Sequence, residues 1–171
     1  MTTSVLLLAD THLPKRAKVL PDPVLRAIDE ADVVVHAGDW VDVATLDLLE
    51  SRARRVVGVV GNNDGSDLRA RLPEVARVQL DGVRMAVVHE TGASMGRAAR
   101  MDATFPDVDL LVFGHSHIPW DTVTPGGMRL LNPGSPTDRR RQPEATFMRV
   151  VLDEGHIAAV ELDRLPPRRP A

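Results

Sequence analysis

Five short groups of residues carry metal-ligating chemistry. They are Asp10-Thr11-His12, Gly38-Asp39, Gly61-Asn62-Asn63-Asp64, His89 and Gly114-His115-Ser116-His117. Their carboxylate, amide and imidazole donors suit Mn²⁺, Fe, Zn²⁺ or Ni²⁺. The chain has no cysteine, which excludes disulfides, thiolate-held zinc, iron–sulfur clusters and thiol catalysis. Two Asp, one Asn and four His are more donors than one ion requires, which points to two metals. Gly38, Gly61 and Gly114 each directly precede a candidate ligand. Without a Cβ, the backbone there can turn sharply and approach an ion or substrate closely.

These groups need a scaffold that gathers them, and the preceding residues supply it. Each group follows an apolar run that reads as a buried strand, at residues 4–9, 33–37, 56–60, 85–88 and 110–113. Continuous Val/Leu runs, rather than alternation, mark strands covered on both faces. Helical patterns lie between them. Residues 23–31 place Val24, Leu25 and Ile28 on one face. Residues 42–53 start with Asp42 as cap and repeat Leu46, Leu49 and Ala53. Residues 93–103 form a weaker pattern with Gly96 inside. In open α/β sheets, sites lie at the carboxyl ends of the strands, so five ends are expected to converge on one rim.

From Asp121 onward the pattern becomes antiparallel. Strands are expected at 121–124, 128–131, 145–152 and 157–162, joined by turns at Pro125-Gly126-Gly127 and Asp153-Glu154-Gly155-His156. A further hairpin is expected around Gln79-Leu80-Asp81-Gly82-Val83. The chain of 171 residues is long enough for one domain with its own core, assigned to residues 1–165, with a disordered tail at 166–171. A net charge of −3 argues against avid, nonspecific nucleic-acid binding. Aromatics at 3%, with no Tyr, argue against a base-stacking platform, so nucleic acid is not the expected partner. The apolar run at 5–9 is too short for a signal peptide or membrane span, so a soluble, cytoplasmic protein without a membrane partner is expected.

The ordered series Asp10-x-His12, Gly38-Asp39, Gly61-Asn62-x-Asp64, His89, Gly114-His115-x-His117 resembles the calcineurin-like metallophosphoesterase superfamily. Its length and the tract Asn132-Pro133-Gly134-Ser135 resemble the small YfcE-type phosphodiesterase branch. The resemblance implies an α/β fold, a four-layer α/β/β/α sandwich of two mixed sheets flanked by helices. It implies two divalent metal ions, Mn²⁺ above the others. Asp10, His12 and His117 would hold one ion, Asn62, His89 and His115 the other, with Asp39 between them. A water acidified by the pair would attack a small phosphodiester substrate. Asn63 and Asp64 complete the candidate catalytic set, Asp64 by orienting a ligand or backbone group.

Two positions depart from the family pattern. Asn63 stands where many members have a His that protonates the leaving group, and an amide cannot deliver a proton at pH 7. Glu90 stands where Gly usually follows the His89 position. The alternative function is a non-catalytic binding module, since the retromer scaffold subunit is similar to this branch. Of the remaining residues, His36 reads as a buried histidine behind the ligands and His156 as solvated. Trp40 and Trp120 read as loop packing, and Arg139-Arg140-Arg141 as solvated surface. Homo-oligomerisation is left open.

Overall fold

Val5 and Leu7 alternate with Leu6 and Leu8, and all four are buried, so the strand that holds them is covered on both faces. That strand is β1 (Thr2–Leu8). The computed structural model describes residues 1–167. Beside β1 lie β2 (Val33–His36) and β3 (Val56–Gly58), both parallel to their neighbours. On its other side β9 (Thr146–Asp153) and β10 (His156–Arg164) add an antiparallel pair, giving the order β10-β9-β1-β2-β3. The second sheet is built from β4 (Val75–Leu80), β5 (Val83–Val88), β6 (Leu110–Val112), β7 (Trp120–Val123) and β8 (Arg129–Asn132). Its order is β4-β5-β6-β8-β7.

The two sheets meet through Val5, Leu7 and Val35 on one side and Met85, Val87, Val112 and Leu131 on the other. The outer face of the first sheet, with Leu6, Leu8 and Val34, is covered by α1 (Asp22–Glu30) and α2 (Val43–Arg52) through Ile28, Leu46 and Leu49. The outer face of the second, with Ala86, Leu111 and Phe113, is covered by α4 (Arg97–Thr104) through Met101. The result is the expected four-layer α/β/β/α sandwich. Burying one such Leu or Ile contributes about 1.5–3 kcal/mol, and both faces of each central strand collect that gain.

The local signals behave as their chemistry dictates. The Asp42 side chain caps α2 by accepting from the Thr45 N–H at 3.1 Å. Asp81 and Gly82, both at positive φ, turn the β4–β5 hairpin, and Glu154 and Gly155 do the same between β9 and β10. Three differences from the sequence reading stand out. Gly96 is not inside α4 but precedes it, at φ 70°, in a conformation that suits glycine and ends the run-in to the helix. The four-residue α3 (Ser66–Arg69) carries too little periodicity to be read. The third is that β8 is not antiparallel throughout its pairing, because it runs parallel to β6. Its Leu130 and Leu131 are both buried, which demands an inner place, and the mostly exposed β7 takes the edge. Of the tail, residues 168–171 lie outside the described residues. No described helix is long and apolar enough to cross a membrane.

Candidate metal centre

The parallel strands β1, β2, β3, β5 and β6 deliver their carboxyl ends to one rim. Backbone bonds lock the loops there: the Asp10 N–H donates to Gly38 O at 2.9 Å, His12 N–H to Asp39 O at 3.1 Å, and Gly114 N–H to His89 O at 2.9 Å. Five of the candidate ligands, Asp10, His12, Asp39, His115 and His117, adopt positive φ, between 46° and 72°. Such conformations cost non-glycine residues about 1–3 kcal/mol each and collect at functional sites. Gly61 is required by contact: a Cβ there would overlap the Asp39 carboxylate. Gly38 is required by conformation, at φ 94°, and a Cβ would meet His89 Nδ1 at 2.7 Å.

All seven predicted ligands come together. His12 Nε2 lies 3.3 Å from Asp39 Oδ2 and 3.9 Å from Asp10 Oδ1. His117 Nε2 lies 3.6 Å from Asp10 Oδ1. His89 Nε2 lies 3.4 Å from Asp39 Oδ2 and 2.9 Å from Asn62 Oδ1. His115 Nδ1 lies 3.2 Å from the same Asn62 oxygen. Two donor groups emerge, Asp10/His12/His117 and Asp10/Asp39/His89, each with ligand atoms within 4.8 Å of one another. Asp10 Oδ1, His12 Nε2 and His117 Nε2 are buried without any hydrogen-bond partner. Buried polar atoms are rarely left so. One carboxylate oxygen and two imidazole nitrogens facing one another fit a divalent cation, which would satisfy all three at once.

Backbone carbonyls aim the imidazoles. His89 Nδ1–H donates to Ala37 O at 2.7 Å, and His117 Nδ1–H donates to Asp138 O, so both Nε2 atoms face the centre. Fixing the far nitrogen in this way sets the tautomer of a ligating histidine. The Asn63 N–H and side-chain amide donate to Asp39 Oδ1 and Oδ2 at 2.9 and 2.8 Å. Asp64 accepts from the N–H groups of Asp39, Val41 and Gly61 at 3.0, 2.8 and 2.7 Å. Both its oxygens are thereby used on backbone N–H groups.

The electrostatics follow from this crowding. Burial works against a charged His12, but Asp10 and Asp39 outweigh it and push its pKa up to about 9. Burial likewise opposes a charged Asp39, yet the His12 and His89 imidazoles at 3.3 and 3.4 Å hold its carboxyl far below the usual range. His89 is raised, burial being overcome by the Asp39 carboxylate. His117 is lowered, chiefly by burial.

His36 is fully buried, and burial pushes its pKa down to about 3. Its Nδ1 accepts from the Gly38 N–H at 3.2 Å, so Nε2–H donates to Thr11 Oγ1 at 3.0 Å. It thereby supports two ligand loops. Trp40 stacks on it at 3.7 Å and donates to Val59 O, so this tryptophan is core, not a wall of the opening. Trp120 packs against the Arg97 guanidinium.

The Asn132–Ser135 tract ties the rim together. Buried Asn132 donates to Gly114 O at 3.1 Å and accepts from the Gly134 N–H at 2.9 Å. Ser135 Oγ donates to Asp10 O at 2.7 Å and accepts from the Asp138 N–H at 2.8 Å. Asp138 and Ala37 are the functional residues that sequence reasoning missed. Each acts through a carbonyl, which every residue carries, so no signal marks them.

A sequence model of the calcineurin-like phosphoesterase superfamily domain matches residues 4–155. The chain belongs to this superfamily. It is 34% identical over 149 residues to a probable metallophosphoesterase of Methanocaldococcus jannaschii, covering 86% of this chain and 74% of that protein. It is 30% identical over 146 residues to a probable metallophosphoesterase of Methanothermobacter thermautotrophicus, covering 84% and 83%. Among solved structures, a Thermotoga maritima protein superimposes with TM-score 0.75 at 35% identity, covering 95% of this chain and 99% of that one. The zinc complex of Entamoeba histolytica Vps29 shares the fold at TM-score 0.75 and 24% identity, covering 95% and 98%. This member of the superfamily therefore shares its fold with both solved structures.

Proposed function

We propose that this protein is a metal-dependent phosphodiesterase with two divalent ions, Mn²⁺ foremost. The observation that carries the reading is the meeting of three buried, unpartnered atoms, Asp10 Oδ1, His12 Nε2 and His117 Nε2. Asp10, His12 and His117 would hold one ion. Asn62, His89 and His115 would hold the other, with Asp39 shared between them. Two such ions would supply Lewis acidity toward phosphoryl oxygens and would lower the pKa of a bound water.

The chain's own groups determine which esters suit the site. Asn62 is a neutral donor, so with ions bound the site would carry more net positive charge toward an anionic substrate than a third carboxylate would leave. Asn63 spends its amide on Asp39 and has no proton to give, which favours leaving groups that depart unprotonated. Glu90 is exposed, with Oε1 3.8 Å from His115 Nε2. A carboxylate there repels a doubly charged monoester more than a singly charged diester.

The test is hydrolysis of bis-p-nitrophenyl phosphate by metal-stripped protein, with and without Mn²⁺, alongside Asp39→Asn. Turnover that needs Mn²⁺ and is lost in the variant is expected. No turnover with Mn²⁺, Fe²⁺, Zn²⁺ or Ni²⁺ would shift the reading to a binding module. A Chaetomium thermophilum Vps29 of the same fold has been solved with a cyclic peptide.

A further inference from the structure

Many arginines of this chain are neutralised where they stand. Ten among the described residues, Arg16, Arg52, Arg71, Arg84 and Arg129 included, lie against an Asp or Glu carboxylate. Several exposed cations have no such partner, Arg26 and Arg55 among them, and four of these lie on two loops. Lys15, Lys18, Arg140 and Arg141 are exposed and form no ion pair with an acid among the described residues. Lys15 and Lys18 follow β1, and Arg140 and Arg141 follow β8. A chain of net charge −3 therefore carries four cations without an ion-pair partner on these two loops.

These loops adjoin the metal centre. The Arg16 N–H donates to His12 O at 2.9 Å, which folds the first loop back over its ligand. Thr137 Oγ1 donates to Thr11 O at 2.6 Å, and Arg16 lies 3.6 Å from Asp138, so the two loops touch. Asp138 in turn holds His117. Arg140 follows Asp138 by two residues on the same loop. The opposite flank carries Glu90 beside His115. A polyanion seated at the centre is thus repelled on the His115 side and attracted on the Asp10/His12/His117 side. Residues 13–20 and 136–143 contain no aromatic, so the rim offers charge for phosphates but no stacking surface for bases.

We propose that the substrate is a small polyphosphorylated molecule, with at least one phosphate beyond the scissile one held by Lys15, Lys18, Arg140 and Arg141. The inference rests on the phosphodiesterase reading and narrows its substrate class. The measurement is calorimetric titration of metal-free protein with orthophosphate and tripolyphosphate at about 50 mM salt, where screening is weak. Metal-free protein avoids chelation by the ligand.

Tripolyphosphate is expected to bind more tightly than orthophosphate. The pair variant K15Q/R140Q should weaken tripolyphosphate by about five- to tenfold. It should also reduce the slope of log affinity against log salt by about two. R26Q/R55Q removes two equally unpaired cations away from this rim and should change affinity by less than about twofold. Equal losses in both pairs, or no preference for tripolyphosphate, would overturn the proposal. Tighter, rim-dependent binding of an oligothymidylate of equal charge would overturn the small-molecule class in favour of nucleic acid. Since this binding is read without metal, a failure of bis-p-nitrophenyl phosphate hydrolysis would remove the enzyme and leave the polyphosphate rim standing.

Discussion

Replacing Asp64 by Asn should destabilise the fold and loosen the metal centre together. The carboxylate is 5% exposed and accepts three backbone N–H groups at 2.7–3.0 Å. Two of these belong to Asp39 and Val41, at φ 60° and 82°. A β-branched residue at such a φ is strained, and Asp64 grips the backbone at both strained residues. An Asn oxygen can keep the Asp39 and Gly61 donors, but its NH₂ must then face the Val41 N–H, donor against donor. One lost charged hydrogen bond and one orphaned buried donor cost about 2–4 kcal/mol. Burial, and then repulsion by Asp39, raises the Asp64 pKa, so a neutral amide recovers part of that cost. The net loss is about 2 kcal/mol, read as a Tm lower by about 4–8 °C for a chain of this size. Because the Asp39 loop is released, Mn²⁺ affinity should fall about 10–100-fold, the usual effect of losing an outer partner. Urea unfolding of the metal-free protein and Mn²⁺ titration read the two effects separately. A D64N variant of wild-type stability and wild-type affinity would refute the reasoning.

Three further outcomes are expected. With its pKa near 9, His12 is protonated at neutral pH in the metal-free protein, and a metal must displace that proton. Mn²⁺ affinity should therefore rise by about tenfold per pH unit between pH 6.5 and 9, and titration in buffers of differing ionisation enthalpy should show proton release. An affinity flat across that window counts against His12 as a ligand. His36 has a folded pKa depressed to about 3, so the unfolded chain binds its proton first as pH falls. Its contribution is intact above about 6.5 and is lost toward pH 3, at about 1.4 kcal/mol per unit. The pH slope of stability should accordingly flatten in His36→Leu; an unchanged slope would exclude this histidine as its source. Ser135→Ala removes the bond to Asp10 O and the acceptor for the Asp138 N–H, costing about 2 kcal/mol. It should also weaken Mn²⁺, because Asp138 holds His117; a stability loss with unaltered Mn²⁺ affinity would break that link.

Strand ends were readable because burial on two faces leaves a continuous apolar run, and a polar residue after such a run must lie at its end. That logic located every group from Asp10 to His117. It worked less well where burial is one-sided. β4 alternates exposed and half-buried positions at a sheet edge, so only its turn into β5 was visible. The direction of β8 depended on which strand of the β7–β8 pair is buried on both faces, a tertiary fact.

The centre itself divides along the same line. Which atoms could bind a metal is a property of side chains and is written in the sequence. Where those atoms point is set by the backbone. Ala37 and Asp138 aim two imidazoles with carbonyls, and the N–H groups of Gly61, Val41 and Asp39 converge on Asp64. Five candidate ligands occupy a region that their residue types disfavour. At about 1 kcal/mol or more each, that strain is comparable with the whole stability of an ordinary domain. Local propensity would relax it. It persists because Asn132, Ser135 and Asp64 tie the rim from behind with buried, fully used polar groups, whose loss would let the ligands turn away before the sheets come apart.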